Sequence, residues 1–316
     1  MKFHRTPDER FEDLADYPFR PNYADVSDFE GGTLQMHYVD EGPRDGPVAV
    51  LIHGNPTWSY MWRKLIPVLA NAGYRTIAID LIGMGRSDKP SRMKDYSIAR
   101  HQAWVEEALF ENLGLTDANM ILHDWGGVIG LRAIANHQSR VASVVLSNTG
   151  LPFRDPSEAE MATPIANQKM LRRFQLYVRF NPWWKHWNML RQIVRTEMTD
   201  EEVAGFAAPY PSAKFTIGNR AFTQMLPTKH DNPMLVDNWH ALEKLKDFEK
   251  PFLTLYSDKD VVAPTGYRSV RPAIPGTRDF ETIILPGGSH FLLEDIPEDF
   301  AREVFAFLTA IGGRDA

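Results

Sequence analysis

One aspartate in this chain sits where a nucleophile would act. Met120-Ile121-Leu122-His123-Asp124-Trp125-Gly126-Gly127 reads as a strand, a tight turn on paired glycines and the start of a helix whose apolar spacing continues from Val128 to Ala135. Asp124 would stand exposed on a nucleophile elbow, where the partial positive charge of a helix N-terminus favours an anion. The four residues from Asp124 to Gly127 also read as an ordinary turn with aspartate as a helix N-cap, so the functional reading depends on what else the chain supplies.

A carboxylate nucleophile selects a chemistry. A serine is regenerated from an acyl-enzyme, whereas an aspartate displaces a leaving group from an alkyl carbon and becomes an ester that water must cleave. The substrate then carries an electrophilic sp3 carbon, as in a carbon–halogen bond or a strained epoxide. Trp125 bears on the choice, because an indole N–H donates and never accepts. A departing halide is stabilised by such a donor in a dry apolar pocket, while an epoxide oxygen needs an acid that gives up a proton.

Cleaving the ester calls for a base and a group that orients it. Gly288-Ser289-His290-Phe291 follows an apolar run at 282–285, and Asp258-Lys259-Asp260 follows another at 252–256. Both segments therefore lie at strand C-terminal ends, where sites in open α/β sheets form. His290 is the expected base, and Asp260 the residue that fixes its tautomer and steadies the imidazolium. Asp258 competes for that acid role; Asp260 is preferred because it begins the turn leading to Pro264, whereas Asp258 sits nearer the strand. Upstream, the run 48–53 opens into Gly54-Asn55-Pro56-Thr57-Trp58. The backbone N–H groups of Asn55 and Trp125 are the expected oxyanion hole for the tetrahedral intermediate, and the Asn55 amide is either a second halide donor or a turn-stabilising asparagine. The remaining histidines show no metal spacing, and Gly83-Met84-Gly85-Arg86 lacks the third glycine of a nucleotide loop. No metal and no cofactor are expected.

The elements that must position these residues alternate. Apolar runs at 34–39, 48–53, 75–79, 120–123, 141–146, 252–256 and 282–285 predict strands, several of them continuous enough for burial on both faces. Between them lie amphipathic helical patterns, such as Ile98, Val105, Leu109 and Leu113, and finally Phe300, Val304, Phe305, Leu308 and Ile311. Such alternation predicts a doubly wound, mostly parallel α/β sheet. The rhythm stops between 151 and 230, a stretch rich in Trp, Phe, Met and Pro that includes Trp183 and Trp184. It is expected to be a helical cap inserted between core segments 1–150 and 231–316, with some of its aromatic side chains facing a cleft beneath it.

A chain of 316 residues, 43% hydrophobic, has room for a sizeable core. Its net charge of −6 and lack of a long basic cluster argue against nucleic acid and against a membrane as partner, and favour a small uncharged ligand. No apolar stretch reaches membrane-spanning length and the first twenty residues are charged rather than signal-like, so the cytoplasm is the default compartment. The absence of cysteine removes disulfides, thiolate nucleophiles and cysteine-held metals together.

With these pieces assembled, the chain resembles the haloalkane dehalogenases of the α/β-hydrolase superfamily over nearly its whole length. The resemblance rests on His53-Gly54-Asn55-Pro56-Thr57-Trp58-Ser59-Tyr60, on the segment from Asp80 to Pro90, on His123-Asp124-Trp125-Gly126-Gly127 and on Gly288-Ser289-His290-Phe291. Epoxide hydrolases with the same elbow usually carry an aromatic residue where Asn55 stands, and fluoroacetate dehalogenases usually carry arginine where Trp125 stands. The subfamily with its acid after the later strand is the most similar, which fits Asp260; its members tend to share a phrase like Ala208-Pro209-Tyr210-Pro211 and a pair like Asn148-Thr149. That subfamily usually has glutamate at position 55 and a second halide-binding tryptophan in the cap. The resemblance therefore implies a halide site of Trp125 with Asn55, the preferred pair, or of Trp125 with Trp183 or Trp184. It further implies conversion of a small apolar halogenated substrate to alcohol, halide ion and proton through an ester on Asp124. That chemistry needs no cofactor, and the chain is expected to be a monomer. The rival readings are an epoxide hydrolase using Tyr177 or Tyr210 as ring-opening acid, and a non-catalytic ligand-binding member of the fold.

Overall fold

In a computed structural model, which describes residues 1–157 and 168–312, the apolar runs form one eight-stranded sheet. Its strands are β1 (Asn22–Ser27), β2 (Thr33–Glu41), β3 (Val48–Ile52), β4 (Arg75–Ile79), β5 (Ala118–His123), β6 (Val141–Ser147), β7 (Phe252–Ser257) and β8 (Ile283–Leu285). Their spatial order is β8-β7-β6-β5-β3-β4-β2-β1. The six strands from β8 to β4 run parallel, and β2 and β1 complete the sheet as an antiparallel edge.

Burial on both faces explains the continuous apolar runs. In β3, Val50 and Ile52 enter the core on one side of the sheet and Ala49 and Leu51 the core on the other; Met120 and Leu122 against Ile121, and Val144 and Leu146 against Val145, repeat the division. Period-two alternation sends successive side chains to opposite faces, and each fully buried aliphatic side chain contributes roughly 1.5–3 kcal/mol. Helices α1 (Ile66–Asn71), α2 (Ile98–Glu106) and α3 (Trp125–Asn136) supply the covering layers together with the C-terminal helix Pro297–Gly312. In that last helix Phe305 faces solvent, contrary to the expected apolar face, and Phe307 is buried instead. At about 100° per residue, Phe307 lies closer than Phe305 to the stripe through the buried Phe300, Val304 and Leu308.

Between β6 and β7 the alternation gives way to helices α4 (Gln168–Phe180), α5 (Asn188–Ile193), α6 (Asp200–Ala207), α7 (Ile217–Met225) and α8 (Pro233–Leu245), with no strand among the described residues. Residues 158–167 of the stretch expected to be a cap lie outside the described residues. Thr199 and Glu202 close a reciprocal capping box at the start of α6. Glu202 also reaches the core: Arg63, fully buried, donates to Glu294 at 2.6 and 2.7 Å and to Glu202 at 2.9 Å. One guanidinium thus joins the turn after β3, the helix α6 and the segment that follows His290. Elsewhere α4 packs on α7, with Gln175 donating to the carbonyls of Thr223 and Leu226 at 3.1 and 3.0 Å.

Candidate active site

Asp124 follows β5 directly and adopts φ 51° and ψ −126°, a backbone conformation that side chains rarely occupy. The neighbouring glycines make the turn possible. A Cβ on Gly126 would lie 2.2 Å from the Ile52 carbonyl oxygen, and one on Gly54 would lie 2.1 Å from Asp124 Oδ1. The turn is held from below by Thr149, whose hydroxyl donates to the Asp124 carbonyl at 2.6 Å, and by the Gly127 N–H, which donates to the same oxygen at 2.9 Å.

Three elements bring their C-terminal ends to this aspartate. From the β3 end the Asn55 N–H donates to Asp124 Oδ1 at 2.8 Å, and the Trp125 N–H adds a second backbone donor to the carboxylate. From the β8 end His290 Nε2 stands 3.3 Å from Asp124 Oδ2. From the β7 end Asp260 Oδ1 meets His290 Nδ1 at 3.0 Å. Asp260 is buried and also accepts from the backbone N–H groups of Val262 and Ala263, at 2.7 and 3.2 Å. Asp258, its competitor for the acid role, points outward, pairing with Lys259 at 2.6 Å and capping the Gly287 N–H. The sheet brings Asp124, His290, Asp260 and the Asn55 backbone into one cluster.

The electrostatics follow from burial opposed by pairing. Burial alone would lower the His290 pKa, but hydrogen bonds and charge attraction from Asp124 and Asp260 more than offset it and raise the value to about 9. For both aspartates burial pushes the pKa up, and His290 together with the backbone donors brings it below the ordinary carboxylate range. At neutral pH the free site therefore holds an imidazolium between two carboxylates. His123, buried next to His290, is driven down to about 4 by burial and by the His290 charge, and is neutral. Its Nε2–H donates to the His290 carbonyl at 2.7 Å.

Several positioning residues lie outside the segments that carry the catalytic groups, among them Asn148 of the Asn148-Thr149 pair noted in the sequence. Asn148 donates to Ser257 Oγ, Ser289 O and His290 O at 2.9, 3.0 and 3.1 Å, and its Oδ1 accepts from the Ser257 N–H at 3.0 Å. It ties the ends of β6 and β7 to the histidine loop. From α7, Phe222 packs against the Trp125 ring at 5.5 Å between centroids. Asn219, also on α7 and buried, donates to Asn55 Oδ1 and to Tyr210 Oη, each at 3.3 Å. That bond occupies the oxygen of the Asn55 amide. Neither the Asn55 Nδ2 nor the Trp125 Nε1 has a protein acceptor among the described residues. Nothing in the local sequence singles out Asn219, since α7 also carries Arg220, Thr223 and Gln224.

The two tryptophans considered as second halide donors are placed elsewhere. Trp183 is 75% exposed, and Trp184 packs edge-on to Phe174 and near His186. Both line a cleft on the outside of the α4–α5 region that contains none of Asn55, Asp124 or Trp125. Exposure to water removes Trp183 as a halide donor, since water would bind the halide in its place, and Trp184 makes no hydrogen bond or ring contact with those three residues among the described ones. The two tyrosines considered as epoxide-opening acids fare no better: Tyr177 is exposed on α4, and Tyr210 is buried against Trp187 with its hydroxyl engaged by Asn219.

Comparison with known proteins identifies the family. Residues 47–296 match the family model described as the alpha/beta hydrolase fold. A haloalkane dehalogenase of Psychrobacter cryohalolentis is 38% identical over 308 residues, which is 98% of each chain. The chain belongs to the haloalkane dehalogenase family of α/β hydrolases. Among solved members, the haloalkane dehalogenase DpaA of Paraglaciecola agarilytica, described as tetrameric, superposes with a TM-score of 0.82 at 28% identity, over 96% of this chain and 97% of that one. A less similar relative in the family's neighbourhood, at 31% identity over 92% of this chain and 97% of its own length, is a cis-3-alkyl-4-alkyloxetan-2-one decarboxylase of Xanthomonas campestris.

Proposed function

We propose that this enzyme hydrolyses haloalkanes to alcohol, halide and a proton through a covalent ester on Asp124, with residues 151–230 acting as the cap over the site. The observation that carries the reading is the His290 bridge between Asp124 and Asp260, at 3.3 and 3.0 Å. Asp124 Oδ2 attacks the halogen-bearing carbon while Oδ1 stays on the Asn55 N–H, and the carbon–halogen bond breaks with its electron pair leaving on the halide. The Trp125 Nε1–H and the Asn55 Nδ2–H receive that halide; the bond from Asn219 to Asn55 Oδ1 supports this by keeping the amide nitrogen available.

Forming the ester removes the negative charge of Asp124, one of the two partners that raise His290, while burial continues to lower it. The imidazolium then loses its proton to solvent, and neutral Nε2 draws a proton from water as the water oxygen adds to the ester carbon. The tetrahedral oxyanion forms on Oδ1, already bound by the Asn55 N–H, with the Trp125 N–H as a second backbone donor to the same carboxyl group. Its collapse expels the alkoxide, which takes the proton from His290; the carboxylic acid left on Asp124, which carries the oxygen supplied by water, then gives its proton to His290, restoring the carboxylate and the imidazolium.

The test is ion-specific detection of halide released from terminal bromo- and chloroalkanes, with Asp124→Asn as the blank. Asn55→Ala is expected to lower turnover by roughly 10²-fold, the scale for losing one preorganised donor. Asn219→Asp, which can only accept, turns the Asn55 oxygen toward the halide and is expected to have a similar effect. Halide release that persists in Asp124→Asn would overturn the mechanism. The Xanthomonas relative supports one second reading, since an oxetan-2-one is also a strained electrophile. Loss of carbon dioxide and appearance of an alkene from a dialkyl oxetanone, without halide release from any haloalkane, would favour it.

A further inference from the structure

We propose that the outward face of α4, with the turn that follows it, is a docking surface for anionic phospholipid bilayers. From residue 168 to residue 187 the chain carries Lys169, Arg172, Arg173, Arg179 and Lys185 and no Asp or Glu, although the whole chain has a net charge of −6. None of these five cations forms an ion pair among the described residues. Large apolar side chains stand among them: Leu176 is 56% exposed, Tyr177 54%, Phe180 74% and Trp183 75%.

Helical geometry puts both kinds of side chain on one face. At about 100° per residue, Lys169, Arg173, Leu176 and Phe180 fall on a single stripe, flanked by Arg172 and Arg179 on one side and Tyr177 on the other. The opposite side holds buried Val178 and the half-buried Phe174 and Gln175, through which α4 meets α7. The surface continues past the helix end, because Tyr177, Trp183 and Lys185 line a common cleft. Arg179 lies over the Phe180 ring at 5.8 Å, so cation and aromatic occupy the same level of the surface.

The interleaving decides the occupant. The buried centre of a protein–protein contact is depleted of charge, arginine excepted, whereas here two lysines stand with three arginines among the apolar side chains and no acidic residue of the segment offsets them. Aromatic and aliphatic groups beside Lys and Arg are the composition of a helix that lies in a membrane interface, its apolar groups in the headgroup boundary and its cations on anionic lipid. A net charge taken over the whole chain hid this surface and led to the expectation of no membrane partner. The cations are spaced by one to six residues and form no run. Docking on this face would set α7, which carries Asn219 and Phe222, one helix away from the lipid.

The experiment is co-sedimentation of the purified full chain with vesicles of phosphatidylcholine and phosphatidylglycerol in equal parts, and with vesicles of phosphatidylcholine alone. Binding is expected to the anionic vesicles at low ionic strength and to fall with added salt. Replacing Arg172 and Arg179 together by Glu is expected to lower partitioning by roughly tenfold or more, and Leu176→Ser with Phe180→Ser to lower it as well. Both double variants should melt like the parent by circular dichroism, because all four side chains face water. With nitroxide-labelled lipid, the tryptophan quenching seen on binding should be lost in Trp183→Phe. A chain that stays in solution with anionic vesicles, or binds neutral vesicles equally, overturns the proposal. So does vesicle binding that survives the charge reversal. Self-association in the absence of lipid, abolished by Leu176→Ser with Phe180→Ser while vesicle binding is unchanged, would assign the face to a second copy of the chain instead.

Discussion

At the scale of single residues, the site is a proton balance among three side chains. Folding raises the His290 pKa from 6.5 to about 9, so the pairing stabilises the fold fully below about pH 6.5, and that contribution is lost as pH rises through about 9. Lys89, buried and brought down to about 7 mainly by desolvation, acts in the opposite sense over part of the same range. Comparison with His290→Gln isolates the first effect, because Lys89 is present in both proteins. In denaturant unfolding across this pH range, the stability difference between parent and variant should shrink from pH 6.5 to pH 9; a difference that is constant or grows would contradict the assignment. The three paired residues were legible because each sits in a short motif at a strand end. Asn219 was not, because its partner Asn55 is 164 positions away in sequence and only the packing of α7 brings them together.

At the scale of elements, the turn from β5 into α3 depends on closely approaching backbones. Gly54 and Gly126 both lack room for a methyl group, but against different neighbours, and their replacement should separate activity from stability. A Cβ at position 54 meets the carboxylate of Asp124, whereas one at 126 meets the backbone of β3. Gly54→Ala is expected to fold and lose most activity by displacing the nucleophile. Gly126→Ala is expected to lower stability by about 1–3 kcal/mol, the scale of overpacking a core, measured by urea unfolding. Equal activity losses with no stability change in either variant would contradict this division. The parallel strands were readable from their continuous apolar runs; β1 was not, because an edge strand buries only Ala24 and Val26 and leaves a two-residue pattern too short to distinguish from a loop.

At the scale of the molecule, core and inserted helices are joined by a buried charge. Arg63 holds Glu294, four residues beyond His290, and Glu202 on α6. Taking away the guanidinium leaves the buried Glu294 with only the partly exposed Lys64, 3.5 Å away, as counter-charge, so Arg63→Ala is expected to cost about 3 kcal/mol, read as a fall in the midpoint of thermal or denaturant unfolding. A loss under about 1 kcal/mol, the range of an exposed pair, would show that the link is not structural. No local pattern announces such a contact, since Arg63 and Glu294 are 231 positions apart and each looks like a surface residue in its own segment.

The most direct test of covalent catalysis is the mass of the protein after reaction. His290→Phe removes the base but leaves Asp124 free to attack, so incubation with a terminal bromoalkane should add one alkyl group, located on the peptide containing Asp124. Halide should appear in an amount equal to the enzyme and then stop. Continued turnover, or halide released with no added mass, would contradict an ester on Asp124.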